Sequence, residues 1–302
     1  MHEPSPGLPE FSYVRPASYN EASRFLAEHP NEARPFLGGT DTFVRLRDGV
    51  WKDKYLLDLK ALPGISDLSF DPDKGLTIGA AVNMNRVIAS LDIMAHYPLL
   101  AEASRTVASY QLRSRATIAG NICNASPAGD TIGACMVYDG IATVNGLNGV
   151  REEPLNSFFI GPGQTLLGSA DIVSAIRFPI PPPGHAGRYI KLGRNVVGDL
   201  AIVGVTVLAY PDDTAVSGYC FRIVLASVAP VPLVAAGAQE ILAGETVTIE
   251  SINAAADAAQ AAATPIDDTR GSARYRKLMV RNLVRRAVTE VWQQLEESDH
   301  EN

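Results

Sequence analysis

Apolar and polar positions along the chain switch between helical and strand spacing many times. From 20 to 29, Ala22, Phe25 and Leu26 fall on one face of a short helix. The apolar run at 35–37 predicts a strand that ends in Gly38-Gly39. There Thr40 is placed to cap a helix that starts at Asp41 and stops near Gly49. Strands are expected at 55–59 and 76–79, with a helix over 83–90. To that point the order alternates strand and helix, which suits a mixed α/β arrangement. Helices follow at 98–108 and 131–138, and strands at 142–145 and 171–178. The stretch 113–130 is poor in strong helix formers and reads as a long loop.

The run Pro181-Pro182-Pro183 within 179–187 is the clearest linker. Beyond it, three runs (187–191, 201–209 and 216–226) predict a small antiparallel sheet. An Ala-rich helix is expected at 249–263. A longer one at 275–295 would present Leu278, Val284, Val288, Val291 and Leu295 on its buried side. The Pro-rich residues 1–13 read as an arm. The pattern divides the chain near 180–186 into two domains.

Composition narrows the class. The chain has 302 residues, 46% hydrophobic and 20% charged, an ordinary globular balance with enough apolar material for a core. A net charge of −7 disfavours nucleic acid or an anionic membrane as the main partner. The N-terminal residues lack the apolar centre of a secretory signal, and no apolar run approaches the roughly 18 residues of a membrane span. Cys123, Cys135 and Cys220 form neither a CxxC pair nor a disulfide framework, so a reducing cytosol is the expected setting. Three scattered cysteines also cannot hold a four-cysteine iron–sulfur cluster. The histidines show no metal spacing. The nucleophile elbow, the G-x-G-x-x-G fingerprint and the Walker loop are all missing from the sequence.

Three constellations could carry chemistry. In Phe36-Leu37-Gly38-Gly39-Thr40-Asp41-Thr42, a strand ends, two glycines turn the backbone and a helix begins. The amides at such a start can bind phosphate oxygens without lysines, as an acidic protein requires; a plain strand-to-helix turn would have the same sequence. Between Arg113 and Asp130, the residues Thr117, Asn121, Asn124, Ser126 and Asp130 crowd around Gly120. Such groups need partners when buried, and an adenosine diphosphate supplies them; an ordered surface loop of Asx turns is the other reading. Third, Lys191 lies on a strand just past the linker. There it is either a solvated strand lysine or a cation facing the inter-domain cleft. The basic cluster Arg270, Arg274, Arg276, Lys277, Arg281, Arg285 and Arg286 reads as a solvated helix face or a docking surface for an acidic partner.

These segments resemble the flavoprotein (medium) subunits of the molybdenum hydroxylase family, which includes xanthine dehydrogenase and carbon monoxide dehydrogenase. Residues 36–41 are similar to the family's first FAD loop. Gln111-Leu112-Arg113, Thr117 to Ile122, Ala125-Ser126-Pro127 and Asp130 are similar to its second loop. Residues 171–179, 191–204, 269–276 and 285–287 continue the likeness in order, from about Phe11 to Trp292. The resemblance implies an α+β fold: a two-subdomain FAD-binding domain of the PCMH/VAO type (8–180, with subdomains of about 8–60 and 61–180), then a smaller α+β domain (187–295). It implies FAD as cofactor, with the molybdenum cofactor and [2Fe-2S] clusters on partner subunits. Those partners would be a small iron–sulfur subunit and a large molybdopterin subunit, with NAD, quinone or oxygen as external acceptor. By position, Phe36, Leu37, Gly38, Gly39, Thr40, Asp41 and Thr42 would wrap the diphosphate. Thr117, Gly120, Asn121 and Asp130 would hold the diphosphate and ribose side, and Val173 and Lys191 would border the flavin ring. Ala119 departs from the family, which usually has glycine there. No cysteine-rich insertion marks the benzoyl-CoA reductase branch. A self-contained flavin oxidase, or a scaffold that has lost its cofactor, is the rival reading.

Overall fold

The structure, a computed structural model, describes residues 7–195 and 198–301. Residues 1–6 of the expected arm, and Val196 and Val197 within the 191–204 block, lie outside the described residues.

The chain opens with β1 (Ser12–Val14), α1 (Tyr19–Glu28), β2 (Ala33–Phe36), α2 (Thr42–Arg47) and β3 (Tyr55–Asp58). Both helices act as crossovers, so the three strands pair in parallel in the order β1-β3-β2. The predicted arm therefore ends in a strand. Short β1 carries no strong periodic signal and is fixed by its pairing to β3. Phe36, Leu46 and Leu56 form a small core there.

Next come β4 (Leu68–Asp71), β5 (Gly75–Gly79), and the short helices α3 (Met84–Ala89), α4 (Leu91–His96), α5 (Pro98–Arg105), α6 (Tyr110–Arg113), α7 (Ile118–Asn124) and α8 (Ile132–Val137). The strands β6 (Ile141–Gly146), β7 (Gly149–Pro154), β8 (Phe159–Gly161), β9 (Gln164–Thr165) and β10 (Ile172–Phe178) follow. Strands β4-β5-β10-β6-β7 make an antiparallel sheet, and the helices cover it with a core of Leu99, Ile118, Ile122, Met136, Phe158 and Ile176 among others. The 113–130 stretch is helical in part. Weak propensity is overridden because Ser109 and Thr117 cap α6 and α7 with their hydroxyls, and Ile118 and Ile122, one turn apart, are buried together.

Beyond the proline run lie β11 (Ala186–Leu192), β12 (Val203–Pro211), β13 (Tyr219–Ala226), β14 (Leu233–Val234), α9 (Ala236–Gly244), α10 (Ile249–Ala262) and α11 (Ala273–Glu301). The four strands pair antiparallel in sequence order. Val203 to Ala209 on β12 are all buried, because α11 packs on one face of the strand and α8 on the other. On α11 the buried stripe is Val280, Val284, Ala287, Val288, Val291 and Leu295. The expected Leu278 is 45% exposed. Its six-residue distance from Val284 rotates it off the stripe, and Val280 takes the place.

The C-terminal sheet is fastened to the first half by polar contacts. Arg188, held by Glu290 of its own half (2.6 Å), donates across to Glu102 (2.7 Å), and Arg222 pairs with Asp139 (2.5 Å). The Ser227 amide bonds the Pro127 carbonyl (2.7 Å).

Candidate functional site

The two predicted bends touch. A β-carbon on Gly38 would lie 2.1 Å from the Arg115 carbonyl oxygen, so glycine is needed for the bends to meet. Gly39 has φ +74°, a left-handed conformation that turns the chain from β2 into α2. Beneath, Phe36 is braced edge-on by Tyr13 and Phe43. Asp58, opposite Phe36 in the sheet register, accepts from Lys60 (2.5 Å) and from the Tyr13 hydroxyl. Burial alone would raise the Asp58 carboxyl, but the bonds from Lys60 and Tyr13 outweigh it and hold the group below the usual carboxylate range.

Thr40 does not cap α2. The N-cap is Asp41, in αR geometry and with no side-chain cap bond. Among the described residues the amides of Gly39, Thr40 and Asp41 meet no protein acceptor, so they are free for an anion. At the second bend Thr117 is a true N-cap, accepting from the Gly120 amide at 2.9 Å. Asn121 accepts from the Thr131 hydroxyl at 2.7 Å and so ties α7 to the start of α8.

Between the bends lies a cavity of about 700 Å³, within the range of roughly 300–1,000 Å³ common for small-molecule and cofactor sites. Phe36, Leu37, Gly38, Gly39, Thr40, Asp41, Thr42, Thr117, Gly120, Asn121, Asp130 and Val173 all border it. Lys191 stands behind the wall, where its ammonium donates to Asp130 Oδ2 (2.8 Å) and to the Thr106 carbonyl (3.1 Å). It reaches the cavity through Asp130 and does not itself line it. The far wall is held by Asp171, which accepts two bonds from Arg151 (2.9 and 2.6 Å) and one from the Gly168 amide (2.7 Å). These donors, the Arg151 guanidinium first, hold the Asp171 carboxyl below its ordinary value.

The sequence reading missed two cations. Arg34 and Arg45 border the cavity and flank the Trp51 ring at 3.6 and 4.7 Å. Arg34 is paired with Asp53 (2.7 Å), and Arg45 donates to Asn124 (2.9 Å). Strand parity could have found Arg34, which alternates onto the same face as Phe36. One helical turn beyond Asp41 leads to Arg45. The site thus combines free amides, two guanidiniums and an apolar lining. That donor set fits a nucleotide diphosphate with an attached aromatic ring. Among the described residues no three His, Cys, Asp or Glu side chains are grouped to hold a metal ion, and no helix is long and apolar enough to cross a membrane.

Fold and site together define a dinucleotide-cofactor domain followed by an accessory α+β domain. The comparisons give the class a family. Residues 9–181 match the family described as the FAD binding domain in molybdopterin dehydrogenase, and residues 188–291 match the CO dehydrogenase flavoprotein C-terminal domain. The chain is 33% identical to the carbon monoxide dehydrogenase medium chain of Hydrogenophaga pseudoflava over 94% of its length and 98% of that protein's. It is 26% identical to a xanthine dehydrogenase FAD-binding subunit of Escherichia coli, covering 92% of this chain and 95% of the relative. A solved carbon monoxide dehydrogenase from Hydrogenophaga pseudoflava, which lacks the Mo-pyranopterin moiety of its molybdenum cofactor, superposes with a TM-score of 0.90. That match covers 95% of this chain and 99% of the other. The chain therefore belongs to the FAD-binding flavoprotein subunits of the molybdopterin dehydrogenases, an oxidoreductase family with an α+β fold.

Proposed function

We propose that this chain holds FAD in the cavity between its two bends and serves as the electron outlet of a molybdenum hydroxylase complex. The observation that carries the reading is the contact between the bends, which brings the free amides of the first and the polar side chains of the second onto one crevice. FAD supplies the redox chemistry, accepting electrons singly and releasing them in pairs. The chain supplies position and electrostatics. The amides of Gly39, Thr40 and Asp41 grip the phosphates, helped by Arg34 and Arg45. Thr117, Gly120, Asn121 and Asp130 hold the ribose side, and Val173 borders the ring system. Electrons arrive from iron–sulfur clusters of a small partner subunit, fed by a large molybdopterin subunit. They leave to NAD, quinone or oxygen at the exposed edge of the site.

Co-purification with subunit, metal and flavin analysis tests this directly. The expected result is a complex of three kinds of subunit with FAD on this one. A chain isolated without flavin, and taking up none on reconstitution, would overturn the reading.

A further inference from the structure

We propose that Tyr189 is a positioning residue for cofactor binding: from the C-terminal half it fixes the Asp130 carboxylate as the acceptor for a hydroxyl of the bound dinucleotide. The inference rests on the FAD reading above.

Asp130 sits on the cavity wall, but its side chain is only 7% exposed. Both oxygens are held from β11. Oδ1 accepts from the Tyr189 hydroxyl at 2.7 Å, and Oδ2 accepts from Lys191 at 2.8 Å. Residues i and i+2 of a strand share a face, so Tyr189 and Lys191 reach the same carboxylate while Ile190 enters the C-terminal core. An ionised carboxylate accepts only, and each oxygen keeps a further lone pair. Such a group repels phosphate and suits a sugar or ribityl hydroxyl. Lys191 balances the charge, while Tyr189 adds direction without charge.

The phenol has little freedom. Its oxygen would lie 2.9 Å from a β-carbon on Gly204, so glycine at that position leaves the hydroxyl its place. Its backbone amide donates to Glu102 (3.1 Å), which also holds Arg188. Tyr189 is thus tied at both ends to the FAD-binding half, and docking of the C-terminal half is linked to cofactor affinity.

The titratable or charged groups facing Asp130 are Lys191 and Tyr189 of β11. Thr106 presents its carbonyl to Lys191 and its side-chain hydroxyl to the Tyr189 phenol, and Gly204 represents β12. Cys123 of α7 and Asp199 of the 193–200 segment border the same cavity. Burial raises the Asp130 carboxyl, and the ammonium and phenol partly restrain it. Removing the phenol therefore pushes it further up.

The test measures the FAD dissociation constant of the full chain against pH for wild type, Tyr189→Phe, Asp130→Asn and the double variant, with circular dichroism as the check on folding. Tyr189→Phe is expected to weaken FAD binding about tenfold near neutrality, or about 1.4 kcal/mol, and to shift the acid limb of the profile to higher pH. Asp130→Asn is expected to abolish that limb. In its background Tyr189→Phe should change nothing further. Equal weakening by Tyr189→Phe in both backgrounds would show a merely structural role and overturn the proposal. So would an unshifted profile, or an Asp130→Asn profile that keeps its acid limb. Absence of FAD binding by the wild type would overturn the functional reading itself, and this inference with it.

Discussion

The two halves of the molecule solve different problems. The C-terminal half is four paired strands backed by helices of 14 and 29 residues, over a core of valine and alanine. The N-terminal half is built from many pieces. Its helices have ten residues or fewer, its sheets are small, and it buries Asp53, Asp58, Thr117 and Asp130. Every helix leaves unpaired amides at its start, so many short helices offer more of them per residue than two long ones. The half that must grip an anionic ligand is therefore made of element ends, and the half that braces it is made of element middles. Stability and ligand affinity should respond separately to substitutions in the two.

The sharpest challenge is Gly38→Ala. The added methyl would collide with the Arg115 carbonyl at 2.1 Å and must part the bends. We expect FAD affinity to fall by more than about 100-fold, some 2.7 kcal/mol, as read by flavin fluorescence titration. The C-terminal half should keep its structure by circular dichroism. The reverse case is Leu242→Ala. Leu242 is fully buried in the C-terminal core, and truncation should cost about 2–5 kcal/mol of stability in denaturant melts. FAD affinity of the folded fraction should stay within about twofold of wild type, a shift below RT.

Acid sharpens the contrast at the cavity wall. Asp171 has a lowered native pKa, because Arg151 and the Gly168 amide favour its charged form. Its unfolded value is about 3.9, so its stabilising contribution is present above that pH and is lost as pH falls through the depressed native value. Asp171→Asn should destabilise the protein at pH 7 by about 1 kcal/mol, a modest figure because Arg151 is 40% exposed. The difference from wild type should vanish on acidification. Smallest is Ala119→Gly, which installs the residue usual in the family. Ala119 is packed in the main core and also borders the cavity. The change should lower stability by about 0.5–1 kcal/mol without tightening FAD.

Legibility followed the same division. Periodicity located β12, α10 and α11, because long runs over one apolar core leave a repeating signal; only Leu278 was misplaced on α11. Around the site, α7 was read as loop, since Gly120, Asn121 and Asn124 are weak helix formers and its capping and burial are set by neighbours distant in sequence. Thr40 was expected to cap α2 because its type fits, yet the backbone turns one residue later. The glycine bends were visible as residue types. That Gly38 lies against Arg115, 77 positions away, was not. Lys191 was visible as a strand lysine, either solvated or facing the inter-domain cleft, but its neighbour, Asp130, is a tertiary fact. Arg34 and Arg45 went unnoticed although parity with Phe36 and one helical turn from Asp41 point to them; that they converge on Trp51 at the cavity is a tertiary fact.

The most direct measurement is a competition on the full chain between FAD and riboflavin, which share the ring system and differ in the diphosphate and adenosine. If the free amides of the first bend, held against the second, carry the binding, FAD will quench and saturate while riboflavin displaces it only at far higher concentration, and Gly38→Ala will erase the difference. Equal binding of the two ligands by the wild-type chain would contradict the account.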